Sequence, residues 1–466
     1  MHLWIGVENF AKIESAKICI DRYTLFVGPN NSGKTFLMQL VQGLSNKIVN
    51  LLEEDAMDIL LGERVAEYSR YLLNKNNIAD FVGYINRKLN LKKEQLVKEI
   101  FGKEISIDKL YLEAELEDDV SYRIDITDKK SLENEEVKKT INPDLLSLSI
   151  WNADLDDKWR IAVLSEEKAA DRESRFMSLR VSISELEIYP FRRALQKIFE
   201  EDSLYLPASR TGLMLLYRDF FANRADDAVS FQIEDGELLG NKERYGGLTQ
   251  PIYEFLRFLQ TYTEDEDNRN FYMNELAFFE DKIIEGHIRI NKRGVFSYCA
   301  KDDNQVVPMH LASAMINEVA PLELALTSER FYRQLIIDEV EASLHPQKQL
   351  ELARFLNRLN NNGVKLIVST HSDTFVSKLN NLYVLSELVK EKKNEEMIRH
   401  LQLEKEDLIQ SENLFVYEFI FQENGKSIVK EIVPDTKTGF QFALFTKSAM
   451  GLYEEAATLG EVQSNG

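Results

Sequence analysis

The sequence predicts an α/β fold: a mixed sheet packed against helices, carrying a large insertion that is helical and then β. Three observations predict it. Short apolar runs such as "YTLFV", "RQLIID" and "VKLIVS" show little alternation, as strands buried on both faces do. Stretches such as "TFLMQLVQGLSNKIVNLLEE" are instead apolar at helical spacing. The last third alternates strictly between the two patterns, which implies parallel strands joined by crossover helices.

In chain order, residues 3–9 and 11–20 read as short strands, and "TLFVG" as a third before a glycine loop and a helix. Residues 64–104 read as charged amphipathic helices, and residues 109–128 and 145–164 alternate like strands. Residues 184–200 read as helix and "SLYLP" as a short buried strand. Residues 211–224 and 249–284 are helical in pattern, with an acidic turn at 264–267, and a hairpin follows at 287–299. A helix from Ser313, the strand "RQLIID", a helix over 346–361, the strand "VKLIVS" and a helix from Asp373 come next. Two strands, "NLFVYEFIFQ" and "SIVKEIV", and a helix near 439–458 complete the chain. This division predicts a core over 1–50 and 201–435, an insertion over 51–200, and a C-terminal helix and tail over 436–466. No repeat or long heptad run interrupts it.

The chain has 466 residues with a net charge of -21, from 57 basic against 78 acidic side chains. A field of that sign repels nucleic acid and anionic membranes, so composition disfavours a general DNA coater. The basic runs Lys92-Lys93, 172–180 and Arg192-Arg193 lie among glutamates and read as solvated helix faces. Two cysteines, Cys19 and Cys299, are too few for a disulfide framework. With no secretory pattern and no apolar run of membrane-spanning length, the expectation is a cytoplasmic protein with no membrane association.

Chemistry enters at Gly28-Pro29-Asn30-Asn31-Ser32-Gly33-Lys34-Thr35, a full match to G-x-x-x-x-G-K-[ST]. Backbone N–H groups of such a loop cradle phosphate at a helix N-terminus; Lys34 would reach the β- and γ-phosphates and Thr35 would bind Mg²⁺. The acidic partner comes from "QLIIDE". Asp338 would hold Mg²⁺ through water, and Glu339 would orient and deprotonate the attacking water. His371, in "LIVSTHSD", ends a further buried strand, where a neutral imidazole can bond the γ-phosphate or its attacking water. ATP and Mg²⁺ are the cofactors this set implies.

The order of Walker A, long insertion, Walker B with adjacent Glu, and switch histidine resembles the ABC-type P-loop NTPase core. "GPNNSGKT", "YLPASRTG", "MHLASAM", "IIDEVEASLHP" and "STHSDTFVSKLNNL" resemble the SMC-like ATPases of bacterial anti-phage defence. These are the AriA-type ATPases of PARIS, the PtuA ATPases of Septu and retrons, and the OLD-family ATPases. The resemblance covers roughly 1–45, 200–215 and 285–435. It implies a signature segment in "LASAM", where Ser313 would contact the γ-phosphate bound to a second subunit. The usual glycine is absent, replaced by Ala314 or Met315, and an N-cap serine would read the same way. Arg210 matches a family arginine that would sense nucleotide or organise the subunit contact. Glu341 and His345 fall in the loop that serves subunit contact.

By the same resemblance the chain would be a slow, regulatory ATPase in a homo-oligomer, a dimer or a trimer of dimers. It would hold or release a separate effector nuclease, AriB-like with a Toprim fold or of HNH type, in answer to a phage-encoded trigger. Residues after His371 contain no D-x-D pair and the six histidines form no H-N-H cluster, so the nuclease is expected on another chain. The competing class is a DNA-repair ATPase of the RecF or SMC type that clamps duplex DNA. Against it stand the -21 charge and the lack of a coiled-coil arm. A transporter subunit is disfavoured by the long insertion and the glycine-poor signature.

Overall fold

The structure, a computed structural model, describes residues 2–45, 47–48, 51, 69–73, 75–115, 122–126, 147–152, 158–164, 177–180, 202–230, 247–291, 294–301, 305–392, 396–435, 437–443, 450–451 and 453–456. The chain enters through the hairpin β1 (His2–Phe10) and β2 (Ile13–Cys19), then β3 (Tyr23–Val27), which runs through the glycine loop into α1 (Lys34–Leu44). Next come β4 (Ser69–Leu73), α2 (Lys75–Phe101), β5 (Lys109–Glu115), β6 (Tyr122–Ile126), β7 (Ser147–Asn152), β8 (Lys158–Leu164), β9 (Met177–Arg180) and β10 (Ser203–Leu206). Helices α3 (Arg210–Ser230), α4 (Gln250–Gln260), α5 (Glu266–Phe271) and α6 (Met273–Phe278) lead to β11 (Gly286–Ile290), β12 (Phe296–Ala300) and β13 (Val306–Pro308). The last third holds α7 (Ala314–Thr327), β14 (Gln334–Ile337), α8 (Pro346–Asn361), β15 (Lys365–Thr370), α9 (Asp373–Lys392), β16 (Leu414–Phe421) and β17 (Ser427–Glu431).

Nine strands form the main sheet in the order β10-β14-β15-β3-β16-β17-β2-β1-β5. β10, β14, β15, β3 and β16 run parallel to one another, while β17 is antiparallel to β16, and β1 to both β2 and β5. This is the mixed sheet of the predicted ABC-type P-loop core. Alternate residues of its parallel strands feed two different cores. Leu25, Val27, Leu335, Ile337, Leu366 and Val368 pack with Val319 of α7, Phe355 of α8 and Phe375 of α9. Phe26, Ile336 and Ile367 pack with Leu37 and Leu40 of α1 and Phe81, Ile85 and Ile100 of α2. Burial on both faces explains the unbroken apolar runs, and each large side chain so buried contributes ~1.5–3 kcal/mol.

Several local expectations change. The insertion assigned to 51–200 is partly main body: β5 pairs along β1 at the sheet edge, and α2 fills the second core. Residues 69–73 are strand rather than helix, because they pair antiparallel with β6. The segment 249–284 is broken, since Asp265 in the acidic turn caps α5 by accepting the Asn268 N–H. The hairpin at 287–299 gains a third strand, β13, whose Pro308 is tolerated on an edge. The helix expected over 184–200 lies outside the described residues, as do 444–449, 452 and 457–458 of the helix expected over 439–458. Among the described residues no helix is long and apolar enough to cross a membrane.

Helix α7 carries the carboxyl of Glu323 deep into the first core. Glu323 is 1% exposed and accepts the Ile288 N–H of β11, with Arg269 of α5 at 3.7 Å. Burial pushes its carboxyl up to about 8, with help from Glu280 and Glu264 and against the Ile288 N–H and Arg269. An unfolded Glu titrates near ~4.3, so between the two values the folded chain holds a proton the unfolded chain has lost. Stability therefore falls as pH rises through that window, and below it the contribution vanishes. Glu323→Gln should flatten the profile and raise stability at pH 7.5 by on the order of 3 kcal/mol in urea melts. A variant with the wild-type pH profile would show that Glu323 is ionised in the fold.

Candidate active site

β14, β15 and β3 are neighbouring parallel strands, so the loops leaving their carboxyl ends meet in one crevice. The loop after β3 needs its glycines for space and for conformation. Gly33 has φ 103°, and a Cβ there would stand 2.7 Å from Ile13 Cγ1; at Gly28 it would stand 2.8 Å from Phe419 Cβ. Asn30 and Asn31 are exposed, Pro29 is half-buried, and the Ser32 hydroxyl is buried without a hydrogen-bond partner. Lys34 opens α1, and its Nζ donates to the Gly28 and Pro29 carbonyls at 2.9 Å each. Burial lowers its ammonium to about 8, opposed by Asp338, Glu339 and Glu341.

The loop after β14 supplies the acids. Asp338 is 1% exposed; its Oδ2 accepts from Thr35 Oγ1 at 2.7 Å and Tyr205 OH at 3.0 Å, and its Oδ1 from Ser369 Oγ. Glu339 turns away from the strand with φ 48°, a left-handed conformation unusual for a residue with a Cβ. Its N–H donates to Ser369 Oγ at 2.8 Å and its carbonyl accepts from Arg210 Nη2 at 3.1 Å. Partial burial, then Asp338 and Glu341, raise its carboxyl above the usual range, against Lys34 and Arg210. His371 follows β15, and its N–H donates to Glu341 Oε1 at 2.6 Å. Burial and Lys34 hold its imidazole below the ordinary value, so it is neutral at pH 7. The other oxygen of Glu341, Oε2, is buried with no hydrogen-bond partner.

Lys34, Thr35, Asp338, Glu339 and His371 thus meet at one end of the sheet. Ser313 does not join them: it is exposed and caps α7, its Oγ accepting the Ile316 N–H. His345 is likewise a cap, its Nδ1 accepting the Gln347 N–H at the start of α8. Arg210 requires a correction. The resemblance has it sense nucleotide or organise the subunit contact, but its guanidinium is 2% exposed and directed at the Pro207, Asp338 and Glu339 carbonyls and Glu318, away from a direct nucleotide contact. It lies beneath the site. Sequence reasoning also misses Tyr205, Ser369 and Glu318. Tyr205 reads as one more core residue of "SLYLP", and only the folded chain shows its hydroxyl at Asp338.

No curated protein matches the chain. Among solved structures, the chain is similar to the SMC head domain from Thermotoga maritima, at 10% identity and TM-score 0.32, over 93% of this chain and 100% of that one. It is also similar to the Smc head domain with an extended coiled coil, bound to the C-terminal domain of ScpA, derived from Pyrococcus furiosus. There the identity is 12% and the TM-score 0.34, over 97% and 98% of the two chains. A family model described as "AAA domain, putative AbiEii toxin, Type IV TA system" matches residues 24–377, a span that runs from β3 through the glycine loop and the acidic turn to α9. The chain belongs to that family.

Proposed function

We propose that the chain binds and hydrolyses ATP as one subunit of an anti-phage defence complex, using nucleotide state to hold or release a separate toxic effector. The observation that carries the ATPase part is the meeting of Lys34, Thr35, Asp338, Glu339 and His371 at the ends of β3, β14 and β15. The loop suits a nucleotide. Ser32 Oγ is a buried polar atom with no partner, and Lys34 Nζ rests on carbonyls it can exchange for phosphate oxygens. Gly28 to Thr35 would cradle the phosphates, and Thr35 and Asp338, already 2.7 Å apart, are an oxygen pair that suits Mg²⁺. Mg²⁺ supplies positive charge to phosphate oxygens when bound. Glu339, with its raised affinity for protons, would take one from the attacking water, and neutral His371 would orient that water or the γ-phosphate.

The wider role rests on the quoted motifs and on the family's description, which names a Type IV TA system and so favours a toxin-linked role over transport. Ser313, exposed at the start of α7, would reach the nucleotide of a second copy, in a dimer or a trimer of dimers. The effector would be a Toprim- or HNH-type nuclease, released on a phage-encoded signal in the cytoplasm. Co-expression with the flanking genes, followed by mass measurement of the complex, tests this. The expected result is a nuclease that co-purifies with the chain, and phage protection that disappears in Lys34→Ala. Absence of any partner, together with salt-dependent ATP-stimulated binding to duplex DNA, would replace this reading with the RecF/SMC clamp.

A further inference from the structure

Under the turn after β14 lies a buried ion pair that the scheme above does not use. Arg210, at the start of α3, is 2% exposed, and Glu318 of α7 is 5% exposed. The Arg210 Nε donates to the Glu318 carbonyl at 2.8 Å and stands 3.0 Å from Glu318 Oε2, a charge contact rather than an aligned hydrogen bond. Nη1 donates to the Asp338 carbonyl at 2.7 Å and the Pro207 carbonyl at 3.2 Å, and Nη2 to the Glu339 carbonyl at 3.1 Å. The second carboxylate oxygen of Glu318 accepts from the Thr211 N–H at 3.0 Å and the Thr211 hydroxyl at 2.7 Å. One guanidinium therefore joins three segments: the end of β10, the turn after β14, and α7.

Two features make this more than packing. Glu339 holds a left-handed backbone with φ 48°, which costs energy and persists only where neighbours over-determine it. Ser369 grips its N–H from one side and Arg210 its carbonyl from the other. In addition, α7 is the helix capped by the exposed Ser313, so Glu318 ties the clamp to the element that would meet a second subunit. A planar fork of five donors can serve these diverging acceptors, and the three donors of a lysine ammonium, radiating from one atom, cannot.

We propose that Arg210 is a positioning residue for hydrolysis. It fixes the backbone of Asp338 and Glu339 so that the Glu339 carboxylate is aimed, and through Glu318 it makes that aim depend on the placement of α7. The inference rests on the ATPase reading. Its test compares Arg210→Lys and Glu318→Gln with the wild type in kcat, in affinity for a fluorescent ATP analogue and in thermal midpoint. Arg210→Lys should lower kcat by about 10- to 100-fold, with affinity within about twofold of wild type although the carbonyls left unmet lower the midpoint. Glu318→Gln, which keeps the volume and removes the charge, should lower kcat several-fold with affinity again unchanged, and it decides the matter if Arg210→Lys fails to fold. A kcat near wild type in the folded variants would overturn the proposal. So would a parallel loss of kcat, affinity and midpoint, which marks a purely structural clamp. A wild-type protein that binds ATP without hydrolysing it would instead overturn the ATPase reading beneath it.

Discussion

Glu339→Gln should lower kcat for ATP by about 10²- to 10⁴-fold, the range that a positioned general base contributes. ATP affinity should stay within a few-fold, because Glu339 lies on the turn after β14 and not in the phosphate loop. The amide keeps the side chain's size and removes its ability to take a proton. The backbone that aims it is untouched, since Ser369 and Arg210 hold the main chain of residue 339 and not its carboxylate. Steady-state phosphate release and an equilibrium ATP titration on the same preparation check both halves. A variant retaining more than about a tenth of wild-type turnover would move the base elsewhere, with Glu341 the first candidate because its Oε2 is buried without a partner.

Lys34→Ala should weaken ATP binding by at least about tenfold, about 1.4 kcal/mol, and should also remove a pH dependence that the wild type shows. The ammonium of Lys34 is lowered to about 8 by burial, so without nucleotide it is charged below that pH and neutral above it. Phosphate favours the charged form, and wild-type affinity should therefore decline as pH rises from 7 to 9, approaching tenfold per unit at the upper end. In Lys34→Ala the affinity should be weak and flat over this range. Titrations at pH 7, 8 and 9 decide it. A wild-type affinity that does not change with pH would mean that Lys34 keeps its proton throughout.

Much of this architecture was legible before folding was considered. The strands at "YTLFV", "QLII" and "KLIVST" announce themselves because both faces are buried, so their composition needs no knowledge of partners. The start of α7 was legible at Ser313 because a cap is a local bond, closed within three residues. What escaped was set by distant contacts. β4 is a strand only because β6 lies beside it, and β5 belongs to the main sheet only because β1 offers an edge. Arg210 looked like a ligand-binding arginine from its place after β10, and the fold buried it among carbonyls.

The sequence by itself determined where phosphate chemistry can occur. A glycine loop, a lysine, a threonine and two acids at strand ends carry that information in a few adjacent residues, since short-range geometry suffices to orient backbone N–H groups. The tertiary structure decided how those groups are held. Tyr205 and Ser369 reach Asp338, Arg210 grips Glu339, and Glu341 bonds the backbone N–H of His371. These partners come from segments far apart in the chain. A buried hydroxyl or guanidinium finds its acceptor only where the packed core leaves one unmet, and no local pattern records where that will be.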